Sequence, residues 1–202
     1  MTDGLFYFSL IDPLLKKLHN SVAAEIPEGA SVIDIACGNG TLPMKYALKA
    51  SRVTAIDLSA SKLEFARNLA ARKNIENIAF MQMDATDLTG FADVEFDIAV
   101  VSMAIHQFRT ETSIALLNAL QRIAARVVIA DYHHPLPGGF PGGITRVIER
   151  LAGKEHHLCF KEYLRLGGLP AITKVVYHHM DITLKKSGSV FQIAQCKHKD
   201  VS

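Results

Sequence analysis

Three aspartates stand within or directly after apolar runs of the length of a β-strand. Asp34 lies inside the run VIDIA, Asp57 ends the run VTAID, and Asp84 follows the run IAFMQM. A carboxylate inside an apolar strand is unfavourable unless it binds backbone N–H groups or a cationic ligand. The position of Asp34 would therefore suit a ligand that carries an ammonium or sulfonium group, with the N–H groups of the neighbouring loop as the alternative partner.

A glycine-containing loop, CGNG at 37–40, follows the first of these runs. Where a strand turns into a helix, the N–H groups of the helix N-terminus are free to bind a ligand. Gly38 and Gly40 let a ligand approach the backbone, and the missing N–H of Pro43 costs nothing in the first helical turn. Since parallel strands bind cofactors at their carboxyl ends, the loop predicts an adenosine-bearing cofactor.

Details around the loop distinguish between cofactors. Proline occupies the third position of Gly38-x-Gly40-x-x-Pro43, where a dinucleotide loop normally has glycine, which weakens a nicotinamide interpretation. Asp57 follows Gly40 by 17 positions, close to the separation of about 20 at which an acidic residue reaches a ribose hydroxyl pair. Together with the position of Asp34, this pattern favours an adenosine that carries an ammonium or sulfonium group.

The end of the third apolar run predicts the adenine subsite. The carboxylate of Asp84, or the backbone beside it at Ala85, is expected to reach the adenine edge. Leu58 and Met83 are expected to pack on the faces of the ring.

Two histidines follow the fourth and fifth apolar runs, at the sheet edge where substrates bind. His106 and His133 are the predicted proton acceptors for a substrate that must lose a proton. The alternative for His106, beside Ile105 and Phe108, is an ordinary packing role.

No metal site is expected. The adjacent pairs His133–His134 and His156–His157 point apart within each pair, and no cysteine or carboxylate completes a recognisable ligand set.

Composition narrows the class of protein. The 202 residues, 49% of them hydrophobic, suffice for one core. Lys and Arg number 22 and Asp and Glu 20, and the resulting charge of +2 predicts no nucleic-acid partner. Three dispersed cysteines and an apolar run at 5–11 that is too short to span a bilayer predict a cytoplasmic protein without membrane insertion.

Apolar runs of strand length alternate with amphipathic stretches of helix length, which predicts an α/β fold, a single doubly wound Rossmann-like domain. The predicted strands are 32–36, 53–57, 78–83, 96–101 and 127–131. The helices between them are 61–73, with capping-box spacing of Ser61 and Glu64, and 111–125.

Three further segments complete the predicted domain, 1–202. An N-terminal helical cap covers 1–28. A lid insertion covers 133–168, with helices at 144–151 and 160–166. An antiparallel C-terminal hairpin, 172–197, with strands at 172–184 and 189–197, completes a mostly parallel seven-stranded sheet.

Four motifs in order, VIDIACGNGT, AIDLS, MQMDATDL and FDIAVVSMAIHQF, resemble those of the class I S-adenosylmethionine-dependent methyltransferases over roughly residues 30–132. The resemblance implies S-adenosylmethionine as cofactor, with its methionine portion at the glycine loop, its ribose at Asp57 and its adenine at Asp84. Ala36 departs from a pattern that often has glycine. The predicted cofactor-binding residues are Asp34, Ala36, Gly38, Gly40, Asp57, Leu58, Asp84, Ala85 and Ser102.

The segment 102–107 looks most like methyltransferases of ubiquinone and menaquinone biosynthesis, which act on small molecules. The resemblance implies methyl transfer to an O, N or C nucleophile of a small-molecule acceptor, by a monomer or homodimer. The acceptor is expected to enter between the first helix, near Tyr7 and Leu10, and the lid at 140–166. The alternatives are a nicotinamide-dependent oxidoreductase and a module that binds S-adenosylmethionine without turnover.

Overall fold

The computed structural model describes residues 12–198. Its strands are β1 (Ser31–Ile35), β2 (Arg52–Asp57), β3 (Ile78–Gln82), β4 (Phe96–Ser102), β5 (Ala124–Tyr132), β6 (Met180–Ser187) and β7 (Phe191–His198). Its helices are α1 (Asp12–Ala24), α2 (Thr41–Ala47), α3 (Ala60–Arg72), α4 (Thr110–Ile123), α5 (Gly139–Leu151), α6 (Lys154–Arg165) and α7 (Gly168–Val176), with a 3₁₀ turn at Ile105–Gln107.

All seven strands form one sheet in the order β3-β2-β1-β4-β5-β7-β6. The first five are parallel, and β7 is antiparallel to both β5 and β6. The predicted doubly wound, mostly parallel sheet with a terminal antiparallel hairpin is confirmed.

A hydrophobic cluster covers each face of the sheet. Neighbouring residues of β1 belong to different clusters: Val32 packs with α1 and α3, and Ile33 with α4 and α7. Because successive strand residues point to opposite faces, burial of both faces explains why the central strands are almost continuously apolar. The strand order reverses at β1, since β2 and β3 lie on one side of it and β4 and β5 on the other, and open α/β sheets bind ligands at such a point.

The prediction that a strand begins at residue 172 is wrong. Residues 168–176 form α7, and the hairpin begins only at Met180. The β-branched residues of this segment favour a strand by propensity, but Leu169, Ile172, Thr173 and Val176 are buried at helical spacing. Burial of that face against the sheet outweighs local propensity.

The segment predicted to form a lid contains two helices, as predicted, but both begin earlier than expected. α5 begins at Gly139, five residues before the predicted start, because Pro141 is tolerated in a first helical turn. A Cβ on Gly142 would lie 2.0 Å from the carbonyl oxygen of Pro137, so this helical glycine permits a close contact. The N-terminus of α3 also differs from the prediction. Its cap is Ser59, whose side chain accepts a hydrogen bond from the N–H of Lys62, and not Ser61.

Within residues 12–198 no helix has both the length and the apolar character that a membrane crossing requires.

Candidate functional site

A cavity lies at the carboxyl ends of β1, β2 and β4, at the point where the strand order reverses. Five of the nine predicted cofactor-binding residues line it: Asp34, Ala36, Gly38, Asp57 and Ser102. They come from three strands and the glycine loop, so the fold brings residues that are distant in the sequence together in one site.

The carboxylate of Asp57 connects the end of β2 to the glycine loop. Its Oδ2 accepts a hydrogen bond from the N–H of Gly38 at 2.8 Å, and its Oδ1 accepts one from the N–H of Ser59 at 2.9 Å. These two bonds fix the carboxylate on the cavity wall.

Backbone strain is stored at the cavity. Ala36 and Met103 both line it, and both have left-handed conformations, with φ of 56° and 55°. A left-handed non-glycine residue costs about 1–2 kcal/mol. Ala36, where the family pattern often has glycine, thus adopts a backbone conformation that favours glycine. The surrounding sheet maintains this strained conformation.

The two glycines of the loop have different surroundings. A Cβ built on Gly38, which has φ of +58°, meets nothing within 4 Å, so this residue leaves open space on the cavity wall. A Cβ on Gly40, with φ of +77°, would lie 2.8 Å from the Cβ of Ala66. Gly40 thus permits close packing of the loop against α3 and does not line the cavity.

Asp34 is buried, at 1% exposure, in the wall of the cavity. Its Oδ2 accepts a hydrogen bond from the hydroxyl of Tyr46. Burial raises the pKa of the carboxyl to about 7, an effect that the Tyr46 hydrogen bond opposes and the nearby Asp57 reinforces. A cationic ligand in the cavity would stabilise the charged form of this carboxylate.

Asp34→Asn is expected to remove a pH dependence of stability. Because its pKa is raised in the folded state, between about pH 4 and pH 7 the folded protein keeps a proton that the unfolded chain releases. Stability therefore falls as pH rises through this window, by up to about 1.4 kcal/mol per pH unit. Urea unfolding at about pH 5 and about pH 8 should show a steeper loss for wild type than for the variant. Equal losses would contradict the buried-acid interpretation.

Two buried polar atoms in the cavity wall make no hydrogen bond within the described part of the chain. They are the hydroxyl oxygen of Ser102 and the amide nitrogen of Asn39. A buried polar atom without a partner is unfavourable, so both favour a polar ligand at this place. Together with Asp34 and the open space at Gly38, they fit a polar, cationic cofactor.

Several lining residues were not predicted from the sequence. Leu15 and His19 of α1 line the cavity, as do Met103, Gln107 and Phe108 after β4. The first helix therefore contributes to the site, as the expected N-terminal cap implies. Tyr7 and Leu10, the residues predicted for acceptor entry, lie outside the described residues.

The predicted adenine subsite is not part of the cavity lining. Leu58 is exposed at 67%, directly after Asp57. Asp84 is also exposed, and its Oδ1 accepts from the N–H and hydroxyl of Thr86. These hydrogen bonds hold the pKa of Asp84 below its ordinary value. Ala85 is partly buried beside it.

His106 is buried, at 2% exposure, and is not among the residues that line the cavity. Its Nδ1 lies 2.6 Å from Oδ1 of Asp131, and its Nε2 lies 3.5 Å from Oε2 of Glu149. Burial alone would lower the pKa of His106, but the two carboxylates raise it above its ordinary value. Both ring nitrogens therefore face carboxylates.

The carboxylate of Glu149 also contacts His156, through a hydrogen bond between Oε2 and Nε2. Although burial favours the neutral acid, His156 and His106 hold the pKa of Glu149 below its ordinary value. Glu149 of α5 thus contacts His156 and lies beside His106, which the sequence did not lead us to expect. Glu149 has charged residues near it on the same helix, so nothing in the sequence distinguished it as a functional residue.

His133 is half-buried directly after β5. Its Nδ1 lies 2.9 Å from the carbonyl oxygen of Pro135. Because a carbonyl only accepts, Nδ1 donates this hydrogen bond, and Nε2 is the ring nitrogen that is left to accept a proton.

Comparison with solved structures agrees with this fold. The structure of a SAM-dependent methyltransferase from Aquifex aeolicus superposes with a TM-score of 0.65 at 17% identity, over 97% of this chain and 98% of that one. The two chains therefore share the same fold. Residues 32–126 match the family model described as "Methyltransferase domain". This match spans 95 of the 202 residues, so this part of the chain is similar to a methyltransferase domain.

Curated relatives match part of the chain. The putative methyltransferase YqeM of Bacillus subtilis is 38% identical over 40% of this chain and 31% of its own length. An uncharacterized RNA methyltransferase of Leptospira interrogans is 27% identical, over 57% of this chain and 30% of its own. A demethylmenaquinone methyltransferase of Thermobifida fusca is 29% identical, over 55% and 48%. The chain thus spans between about a third and a half of the length of these relatives.

Proposed function

We propose that this chain transfers the methyl group of S-adenosylmethionine to a small-molecule acceptor. The observation that carries the proposal is the cavity at β1, β2 and β4, where the buried carboxylate of Asp34 faces open space beside Gly38. The cofactor brings a sulfonium and an ammonium group, both positive, to a wall that has a carboxylate with a raised pKa. The ribose hydroxyls bind Asp57, and Leu58 and Asp84 with Ala85 lie on the adenine side.

The chemistry requires little of the protein beyond alignment and exclusion of water. When bound, the cofactor supplies a methyl group that is already activated by its positive sulfur. The acceptor's lone pair forms the new bond to that carbon, the carbon–sulfur bond breaks, and its electrons remain on sulfur, which gives S-adenosylhomocysteine. Met103 and Phe108 on the cavity wall, with Leu15 of α1, provide an apolar enclosure for this step.

A hydroxyl or ammonium acceptor must also lose a proton. His133 is the proposed base, because its Nδ1–H donates to the carbonyl oxygen of Pro135 and Nε2 is the nitrogen that is left to accept a proton. His106, the other predicted base, has both ring nitrogens against carboxylates, so we propose a positioning role for it at the cavity edge. A carbon acceptor that already carries an electron pair needs no base.

Two features support a small molecule as acceptor. The cavity is enclosed by α1 and by the segment after β4, and the net charge of the chain is only +2. A protein that neutralises many phosphates usually presents a strongly basic surface. The relatives are named for both kinds of acceptor, a demethylated quinone in one and RNA in another, so both belong in the test.

The test is formation of S-adenosylhomocysteine when the protein is incubated with S-adenosylmethionine and candidate acceptors. We expect turnover with small apolar molecules that carry a hydroxyl or amine, such as phenols and hydroquinones, and none with total cellular RNA. Turnover with RNA alone would contradict the small-molecule acceptor. Tight cofactor binding without S-adenosylhomocysteine from any acceptor would favour a non-catalytic binding module.

A further inference from the structure

We propose that His106, Glu149 and His156 form a binding site for a divalent transition-metal ion of the zinc type. The three residues come from the 3₁₀ turn after β4, from α5 and from α6. One potential ligand atom of each lies within 4.8 Å of the other two. The site is distinct from the cofactor cavity, whose lining includes none of the three.

The donor set suits zinc. Two imidazole nitrogens and one carboxylate oxygen form a common set of protein ligands for Zn²⁺, with a fourth position left for water or another ligand. Bonds of about 2.0–2.1 Å place tetrahedral ligand atoms about 3.3 Å apart. Nε2 of His106 and Oε2 of Glu149 are 3.5 Å apart, close to that separation, whereas Nε2 of His156 is in direct hydrogen-bond contact with the same oxygen and would move apart from it around an ion. Mg²⁺, which prefers six oxygen ligands, is not suited to this set.

The residues around the donor atoms have the arrangement that supports metal ligands. Asp131 accepts from Nδ1 of His106 at 2.6 Å, which fixes the ring and leaves the Nε2 lone pair directed toward Glu149. The hydroxyl of Tyr132 donates to Oε1 of Glu149 at 2.6 Å, which leaves Oε2 for the ion. Carboxylate–histidine pairs of this kind orient and strengthen metal ligands.

Charge also favours a cation here. Asp131 is fully buried and Glu149 is 4% exposed, so two carboxylates lie in the interior within reach of two histidines. A divalent cation would balance both carboxylates while the histidines remain neutral. It would also join α5 and α6 of the lid to the 3₁₀ turn at the edge of the cofactor cavity.

The test uses the full chain without a histidine tag, stripped with a chelator, and titrates Zn²⁺ by calorimetry. Wild type is expected to bind one equivalent. His156→Gln and Glu149→Gln are expected to weaken binding by at least about 100-fold, and Asp131→Asn by about 10- to 100-fold. Bound Zn²⁺ should raise the melting temperature of wild type and not that of His156→Gln.

The matched control is His157→Gln, since His157 is the next residue on the same helix, is also partly buried, and is not one of the three ligands. This variant should bind Zn²⁺ as wild type does. Comparison of the variants at 156 and 157 decides the matter even if Glu149→Gln fails to fold. Absence of Zn²⁺ binding by wild type, equal losses at 156 and 157, or equally tight binding of Mg²⁺ would overturn the proposal.

Discussion

Asp57→Asn is expected to weaken the binding of S-adenosylmethionine by at least about 100-fold while the chain stays folded. The carboxylate of Asp57 is held on the cavity wall by the N–H groups of Gly38 and Ser59. An asparagine loses the charge and one of the two acceptor oxygens, so the ribose hydroxyls lose their partner. Hydrogen bonds to charged groups contribute about 1.5–3 kcal/mol each, and two of them account for this loss.

The matched control is Asp97→Asn. Asp97 also connects two neighbouring strands, because its Oδ2 accepts hydrogen bonds from the N–H and the hydroxyl of Ser31. It lies near the amino end of β4, at the opposite end of the strands from the cavity. Calorimetric titration of both variants should show unchanged affinity for Asp97→Asn. Wild-type affinity in Asp57→Asn would remove the ribose role from this residue.

Gly40→Ala is expected to destabilise the fold by about 2–5 kcal/mol. A Cβ there would lie 2.8 Å from the Cβ of Ala66 and 3.0 Å from a ring carbon of Phe80, at a backbone φ of +77°. Overpacking costs about 1–3 kcal/mol, and a left-handed alanine adds about 1–2 kcal/mol. Urea unfolding measures the change in the free energy of unfolding.

Gly38→Ala is the comparison for this variant. Its Cβ meets nothing within 4 Å, so only the left-handed conformation at φ of +58° costs stability, about 1–2 kcal/mol. The new methyl group would instead occupy space on the cavity wall and weaken cofactor binding. If Gly38→Ala were the more destabilised of the two, the division of roles between these glycines would be wrong.

The fold and half of the cofactor site could be predicted because their signals are local. Apolar strands that are buried on both faces have few polar residues, so Asp34 and Asp57 stand out, and the glycine loop lies directly between them. Their positions at strand ends bring them together whatever the loops of the fold do. The helix α7 could not be predicted in the same way, because its β-branched residues favour a strand until the sheet buries one helical face.

The histidine–carboxylate cluster could not be predicted from the sequence because its members are distant in the chain. His106 meets Asp131 across 25 residues, and only the folded lid brings Glu149 and His156 to the same place. Asp131 did carry a signal, since it lies in an apolar strand as Asp34 does. Which of several histidines it contacts depends on the packing of α5 and α6.

Calorimetric titration of the purified chain with S-adenosylmethionine and, separately, with NADH and NADPH tests the central claim most directly. The buried Asp34, the open wall at Gly38 and the carboxylate of Asp57 predict one equivalent of S-adenosylmethionine bound with a Kd in the micromolar range, and no binding of either nicotinamide. Micromolar binding of NADH or NADPH, with none of S-adenosylmethionine, would contradict the assignment.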